Sequence, residues 1–482
     1  MSKLLLKKVY TVSSKREKPR LWLQHLICEA SNFQPGDQLF IHVNEEEKTI
    51  SIQNSPHGEE IDSDYGVSVS SRMNRISGKP RPLVDASGDK FAKVLCIQDK
   101  IEISVYRDGE KGKVIVRPLR YRLFESDTIE TLDDERLKLL SICAGSGIGT
   151  AMFRASSYFT PTMEIEMEDD SACVLKHNFP HSYLFQGDLR DCHTITKADV
   201  ALVTLDCSEH SQIGDMDQGY FDNLILGTYK ILDAAEPRVI FYENVPNFYN
   251  SSVYQELQEL LSHEYPYQIG PIRLDSYDFG SIAHRDRSYA VSFRDKEDFD
   301  LFRVPKPPAV RRKRLKEFLD PKSTEHVWKP LEKWMESFQS KAEKNNAWAD
   351  RNIDKTFVDR DALELQCIPR RYRSQSASNS YVLSEDRKSW RFLTISELRR
   401  IFSIPEDFEF PDYIPMYRIY EMIGQSVCGR VLRSWANSIA SVFFRRHAAE
   451  KKDLKSPVRP DISHTDPMRF TLEQTGQIGF LI

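Results

Sequence analysis

Leu139-Leu-Ser-Ile-Cys143-Ala-Gly145-Ser-Gly147-Ile-Gly149 is the stretch on which the reading of this chain turns. Leu139–Cys143 is a short apolar run of the kind that makes a buried parallel strand, and a glycine-rich turn follows it directly. A strand leading into G-x-G-x-G suits close backbone approach to a nucleotide-like ligand. Outward from it, strand-like runs recur at Thr162–Ile165, Val200–Leu205, Val239–Tyr242 and Ser288–Phe293. Helical patterns lie between them, as at Tyr220–Ala235 and Val253–His263. Strands alternating with helices predict an α/β domain with a mostly parallel sheet.

Residues able to do chemistry sit at the ends of these strands. Glu164, Glu166 and Glu168 close the second strand, where an acid holds ribose hydroxyls. Gly187-Asp188 follows another apolar segment and is placed to bond an adenine amine. Leu205-Asp-Cys207-Ser-Glu-His-Ser211 follows a strand, at the carboxyl end where open α/β sheets take their ligands. Cys207 reads there as a nucleophile or as an inert buried thiol. Phe241-Tyr-Glu243-Asn244-Val245-Pro246 puts a carboxyl group at the adjacent strand tip. Phe279-Gly-Ser-Ile-Ala-His-Arg285-Asp-Arg287 carries two arginines at i, i+2, which point the same way if extended.

The ordered set resembles the cytosine-5 DNA methyltransferases over roughly residues 137–447. The glycine motif, second-strand acid, strand-end Cys207, Glu243-Asn-Val, spaced arginines and late Gly424-Gln425-Ser426-Val427 fall in that family's order. Arg391-Phe-Leu-Thr394…Glu397 with Pro405-Glu-Asp-Phe408 resembles the next-to-last motif. The resemblance implies a Rossmann-like S-adenosylmethionine-dependent methyltransferase fold with an inserted target-recognition domain. It places the catalytic domain at 137–293 and 389–447, the recognition domain at 294–388 and a tail at 448–482. It implies Cys207, Glu243, Arg285 and Arg287 as catalytic. It implies Cys143, Ala144, Gly145, Gly147, Gly149, Glu166, Asp188, Leu189, Gln425 and Ser426 as contacts to S-adenosylmethionine.

In that family's chemistry a thiolate adds to carbon 6 of a cytosine flipped out of double-stranded DNA, and carbon 5 takes the transferred group. Four residues at three places depart from its pattern: Asp206 and Ser208 flank Cys207 where Pro and Gln are usual, Ala283 replaces Gln, and Gln425 replaces Asn. A longer amide at Gln425 leaves open a carboxylated donor such as carboxy-S-adenosylmethionine, with 5-carboxymethylcytosine as product. A tRNA-directed enzyme and a catalytically silent DNA-binding homologue are the competing readings.

Residues 1–120 read as an all-β module with an internal repeat. Phe33-Gln-Pro-Gly-Asp-Gln-Leu-Phe-Ile-His-Val43 is echoed by Leu95-Cys-Ile-Gln-Asp-Lys-Ile-Glu-Ile-Ser-Val105, an offset of 62 positions. Alternating Leu39, Ile41, Val43 and Ile101, Ile103, Val105 predict one strand in each copy, followed by strands at Thr49–Ile52 and Lys113–Val116. Over 17–118 the pattern resembles the tandem AbrB/SymE-like modules, which implies a candidate DNA-binding unit; a plain β spacer is the alternative.

The chain has 482 residues and net charge −5, which taken whole argues against a polyanion binder. Residues 301–394 nevertheless hold 21 Lys and Arg against 13 Asp and Glu, a net of +8, leaving −13 for the remainder. Within that stretch Arg311, Arg312, Arg314, Arg370, Arg371 and Arg373 are candidate DNA contacts. Eight cysteines without C-x-x-C spacing indicate neither a zinc site nor a disulfide framework, and suggest a reducing, cytoplasmic setting; the resemblance implies a prokaryote or phage as its source. No apolar run approaches the ~18 residues of a membrane span, and the first residues are too short an apolar stretch for a secretory signal.

Overall fold

The computed structural model describes residues 3–120, 126–129, 135–205, 222–321, 326–344 and 355–454. Strands β1 (Lys3–Thr11), β2 (Lys18–Gln24), β3 (Gln38–Asn44), β4 (Thr49–Asn54), β5 (Pro80–Ser87), β6 (Lys100–Asp108) and β7 (Lys111–Pro118) build the N-terminal region. Alternation drives them: Leu39, Ile41 and Val43 are buried on one face of β3, and Ile101, Ile103 and Val105 on one face of β6. Glu102, between these, is buried too, and takes Lys7 Nζ at 3.1 Å and Arg117 Nη2 at 2.6 Å. The repeat is a physical one. β4 pairs antiparallel with β7 so that Ile52 faces Val114, its counterpart at the 62-residue offset. β2 pairs antiparallel with β5, Leu23 opposite Val84. At the 62-residue offset Ile52 thus faces its own counterpart, and Leu23 faces the counterpart of its neighbour Trp22.

Strands β8 (Leu137–Ile142), β9 (Phe159–Glu166), β10 (Tyr183–Gln186), β11 (Val200–Val203), β12 (Val239–Asn244), β13 (Tyr267–Asp275) and β14 (Asp286–Phe293) follow. Val200–Val203 is buried at every position, as a central parallel strand must be. The order β13-β14-β12-β11-β8-β9-β10 continues without a break into β1-β6-β7-β4-β3 and a short edge strand, Tyr65–Ser68, giving a 13-stranded sheet. β8 lies between β9 and β11, so the strand order reverses there, which is where such sheets open a ligand crevice.

The junction between the regions is β1, parallel to β10 with Leu6 opposite Leu184 and Lys8 opposite Gln186. Sheet pairing therefore crosses the expected boundary at residue 120. The basic segment has a small sheet of its own, Lys329–Pro330, Ser389–Arg391, Tyr381–Leu383 and Phe357–Val358, which takes in residues beyond 388.

Four helices matter for the site: α1 (Ile148–Arg154), α2 (Asp169–Asn178), α3 (Met416–Gln425) and α4 (Gly429–Leu454). Trp435 of α4 is fully buried, with its ring 5.2 Å from Phe241 of β12 and 5.5 Å from Tyr289 of β14. That contact fixes the two strands whose tips carry Glu243 and Arg287. Among the described residues no helix is long and apolar enough to cross a membrane.

Candidate active site

The turn after β8 is held by a carboxylate. Glu166, at the end of β9, accepts the Gly145 N–H at 2.7 Å and the Glu168 N–H at 2.8 Å, one on each oxygen. Burial pushes its carboxyl above the ordinary range, against the pull of those N–H groups. Gly147 precedes α1 at φ 84°, and a Cβ there would lie 2.5 Å from Leu175 Cδ2. A side chain is thus excluded on two counts, strained backbone and lack of space. Asp188, after β10, is burdened by burial, but the Arg190 side chain and N–H outweigh this and hold its carboxyl below the usual value.

The other half grows from the tips of β11, β12 and β14. Asn244 is buried and donates Nδ2 to Leu205 O at 3.0 Å, tying the end of β12 to the end of β11. Asn244 stands opposite Ser288 in the ladder, so Arg287 lies just past that pair. Arg287 Nε is 3.3 Å from Glu243 Oε1. Burial raises the Glu243 carboxyl, and Arg287 and Arg285 partly offset this.

One cavity of about 360 Å³ joins the two halves. Cys143, Ala144, Gly145, Gly149, Glu166, Asp188, Leu189, Gln425 and Ser426 all line it, as do Glu243 and Arg287. Gly147 is not among the lining residues. Cys207 lies outside the described residues; the last described residue before it, Leu205, is part of the lining.

Arg285 does not line the cavity. It is buried and donates Nη1 to Ile368 O at 3.1 Å, in the basic segment. The two arginines at i, i+2 leave the end of β14 in different surroundings because β14 starts only at Asp286, so Arg285 belongs to the loop before it. That loop is zipped to the basic segment: His284 N donates to Leu365 O at 3.0 Å, and Leu365 N to Ile282 O at 2.8 Å. Two residues beyond Ile368, Arg370 reaches the cavity and lines it.

The remaining basic candidates scatter. Arg311 pairs with Glu317, and Arg314 with Asp361 at 3.4 Å. Arg312 lies 3.8 Å over the Tyr277 ring. Arg373 sits 5.0 Å from the rings of both Phe392 and Tyr420. Arg371 is exposed and, like Arg370, has no ion-pair partner among the described residues. Sequence reasoning missed Arg418, which lines the cavity and pairs with Glu168, with Asp170 at 3.1 Å and with Glu421 at 2.5 Å. The signal was available: Arg418, Met422 and Gln425 fall at i, i+4, i+7, one face of α3.

The comparisons with known proteins agree on this region. The family described as C-5 cytosine-specific DNA methylase matches residues 137–441. Type II methyltransferase M.Bsp6I of Bacillus sp. (strain RFL6) is 26% identical over 326 residues, 63% of this chain and 98% of the relative. Type II methyltransferase M.NlaX of Neisseria lactamica is 26% identical over 295 residues, 56% of this chain and 89% of the relative. Among solved structures, the Entamoeba histolytica methyltransferase EhMeth superposes with a TM-score of 0.50 at 17% identity, over 67% of this chain and 100% of that one, a likeness of fold. With a family match that spans the glycine turn, the Glu243 tip and α3 together, this chain belongs to the C-5 cytosine-specific DNA methylases.

Proposed function

We propose that this chain is a DNA cytosine-5 methyltransferase in which Cys207 adds to carbon 6 of a flipped cytosine and a group from S-adenosylmethionine passes to carbon 5. The observation that carries the reading is the shared cavity. The glycine turn, Glu166 and Asp188 line one part of it, and Glu243 and Arg287 another. S-adenosylmethionine fits the first part by the chemistry of its donors: backbone groups of the turn, Glu166 for ribose hydroxyls and Asp188 for the adenine amine. Bound there, it supplies an electrophilic methyl group.

The protein's own groups do the rest. The Cys207 thiolate forms a bond to carbon 6, which makes carbon 5 nucleophilic. Glu243, whose carboxyl burial pushes above the ordinary range against the pull of Arg287 and Arg285, contacts ring nitrogen 3 and grips the exocyclic amine. Arg287 holds the base oxygen beside it. Loss of the carbon-5 proton and departure of the Cys207 sulfur restore the ring. Flipping costs a few kcal/mol, which phosphate contacts from residues 294–388 offset, and residues 1–120 are a candidate second DNA contact.

The test is the full chain with duplex DNA and S-adenosylmethionine, followed by nucleoside mass spectrometry and trapping on 5-fluorocytosine duplexes. The reading expects 5-methylcytosine and a covalent adduct that Cys207→Ala abolishes. Carboxymethylcytosine, formed only with the carboxylated donor, would shift the donor assignment. No product and no adduct would leave a silent DNA-binding protein.

A further inference from the structure

The N-terminal strand lies outside residues 137–441, the part matched to the family, yet it reaches the wall of the cavity. The β1–β10 register brings Lys8 opposite Gln186, so Val9 comes level with Gly187, which lines the cavity next to Asp188. A Cβ on Gly187 would lie 3.1 Å from Val9 Cγ2 and 3.2 Å from Val9 Cβ. Lys8 Nζ is 2.9 Å from Asp169 Oδ1, and Asp169 in turn takes the Gln186 amide. Lys176 of α2, which is buried, donates Nζ to Leu5 O at 2.8 Å. Strand β1 thus holds both the strand that leads into Gly187-Asp188 and the helix that follows Glu166-Met-Glu168. Without it, β10 would be an open sheet edge, and the turn carrying Asp188 would hang from unpaired backbone.

We propose that the N-terminal region is a structural part of the cofactor site, with Lys8 and Val9 as positioning residues for the Gly187-Asp188 turn. This rests on reading the cavity as an S-adenosylmethionine site. Each copy of the repeat is fastened through β1 and β6 to the catalytic sheet, so the region is not a detachable reader of DNA.

The test is a rescue cycle read by calorimetry of S-adenosylhomocysteine on the full chain. Gly187→Ala keeps a backbone that alanine can adopt but presses a methyl group on Val9; affinity should fall about tenfold. Val9→Ala removes the nearer contact, Cγ2, but keeps Cβ at 3.2 Å, so the double variant Gly187→Ala/Val9→Ala should recover part of the loss. Lys8→Ala should raise the KM for the cofactor by a larger factor than it lowers kcat. Equal affinity of Gly187→Ala and its double variant, or a Gly187→Ala chain that binds like the wild type, overturns the proposal. A wild-type chain that binds no S-adenosylhomocysteine overturns the reading of the cavity itself, and the proposal with it.

Discussion

Replacing Glu243 by glutamine separates the acid from its shape. The wild-type side chain is 11% exposed and its partner Arg287 15%, at 3.3 Å, so the pair is largely out of solvent. Burial favours the protonated carboxyl, and Arg287 only partly opposes this. A protonated Glu243 can hand a proton to ring nitrogen 3, whereas a glutamine can only point an amide N–H at it. Positioned acids contribute about 10²–10⁴-fold, and a retained hydrogen bond keeps part of that, so kcat at neutral pH should fall about 10²-fold. Alanine should do worse on two counts, because it also takes the carboxylate from Arg287, which among the described residues keeps only its bond from Nη1 to Asp286 O, at about 1–3 kcal/mol of stability. The pH dependence gives the sharper readout. A carboxyl raised in the folded state is active as the acid at low pH, and its activity declines as pH rises through the raised value. The glutamine variant should lose that decline. Stability follows the same sign: folding costs more as pH rises from the ordinary carboxylate value to the raised one, so the stability of Glu243→Gln relative to wild type should improve over that window. Single-turnover methylation across pH 5–9, with thermal melts alongside, measures both. A glutamine variant within threefold of wild type, with the same pH profile, would show that Glu243 is not the acid.

Three further outcomes are expected. Asp298 is fully buried and accepts from Arg238 Nε at 3.2 Å and Nη2 at 2.8 Å; Asp298→Ala should cost about 3–5 kcal/mol in chemical denaturation, and a loss below about 1 kcal/mol would mean that the Arg238 charge finds another partner. Arg285→Ala frees the Ile368 carbonyl and with it the strap that carries Arg370, so DNA affinity should drop about tenfold while S-adenosylhomocysteine binding holds; an equal loss in both would place Arg285 in the cofactor site after all. Glu166→Gln removes one of the two acceptor oxygens that hold Gly145 and Glu168, and cofactor affinity should fall at least tenfold by calorimetry, with unchanged affinity refuting the ribose role.

The catalytic half was legible because its signals are local. A continuous apolar run marks a buried parallel strand, as at Val200–Val203, and the candidate site residues fall where each run stops. The repeat was legible for the same reason, since alternation at Leu39, Ile41 and Val43 needs no knowledge of partners. What could not be read was pairing across the chain. Lys3–Thr11 mixes leucines with lysines, and nothing within it says that it will lie beside Tyr183–Gln186, some 180 residues away. Its lysines look like a solvated start to the chain, yet Lys7 is 4% exposed and bonds Glu102 and Thr194. The arginines failed in the same way. Spacing gives the direction of two side chains only if both belong to one strand, and β14 begins between Arg285 and Arg287.

Charge is the quantity that changed most between sequence and structure. The net of +8 over residues 301–394 is a count, and the fold spends much of it locally. Arg391 is buried with Glu397, at 2.7 and 2.8 Å, and that carboxylate also caps the helix Ile395–Phe402, so this arginine is lost to any ligand. Arg311, Arg314, Lys316 and Arg360 are different, because their acidic partners are on the surface: Glu317, Asp361 and Glu385. Exposed pairs of this kind hold by about 0–1 kcal/mol, so a phosphate can displace the acid, but the acid remains close and repels the same phosphate. Their contribution to DNA binding is therefore smaller than a tally of arginines suggests. Arg370 and Arg371 carry no such handicap among the described residues, and they sit where Arg285 pins the segment to the catalytic domain. On the proposed function, Arg370 and Arg371 beside the cavity are therefore the first of these arginines to test as DNA contacts.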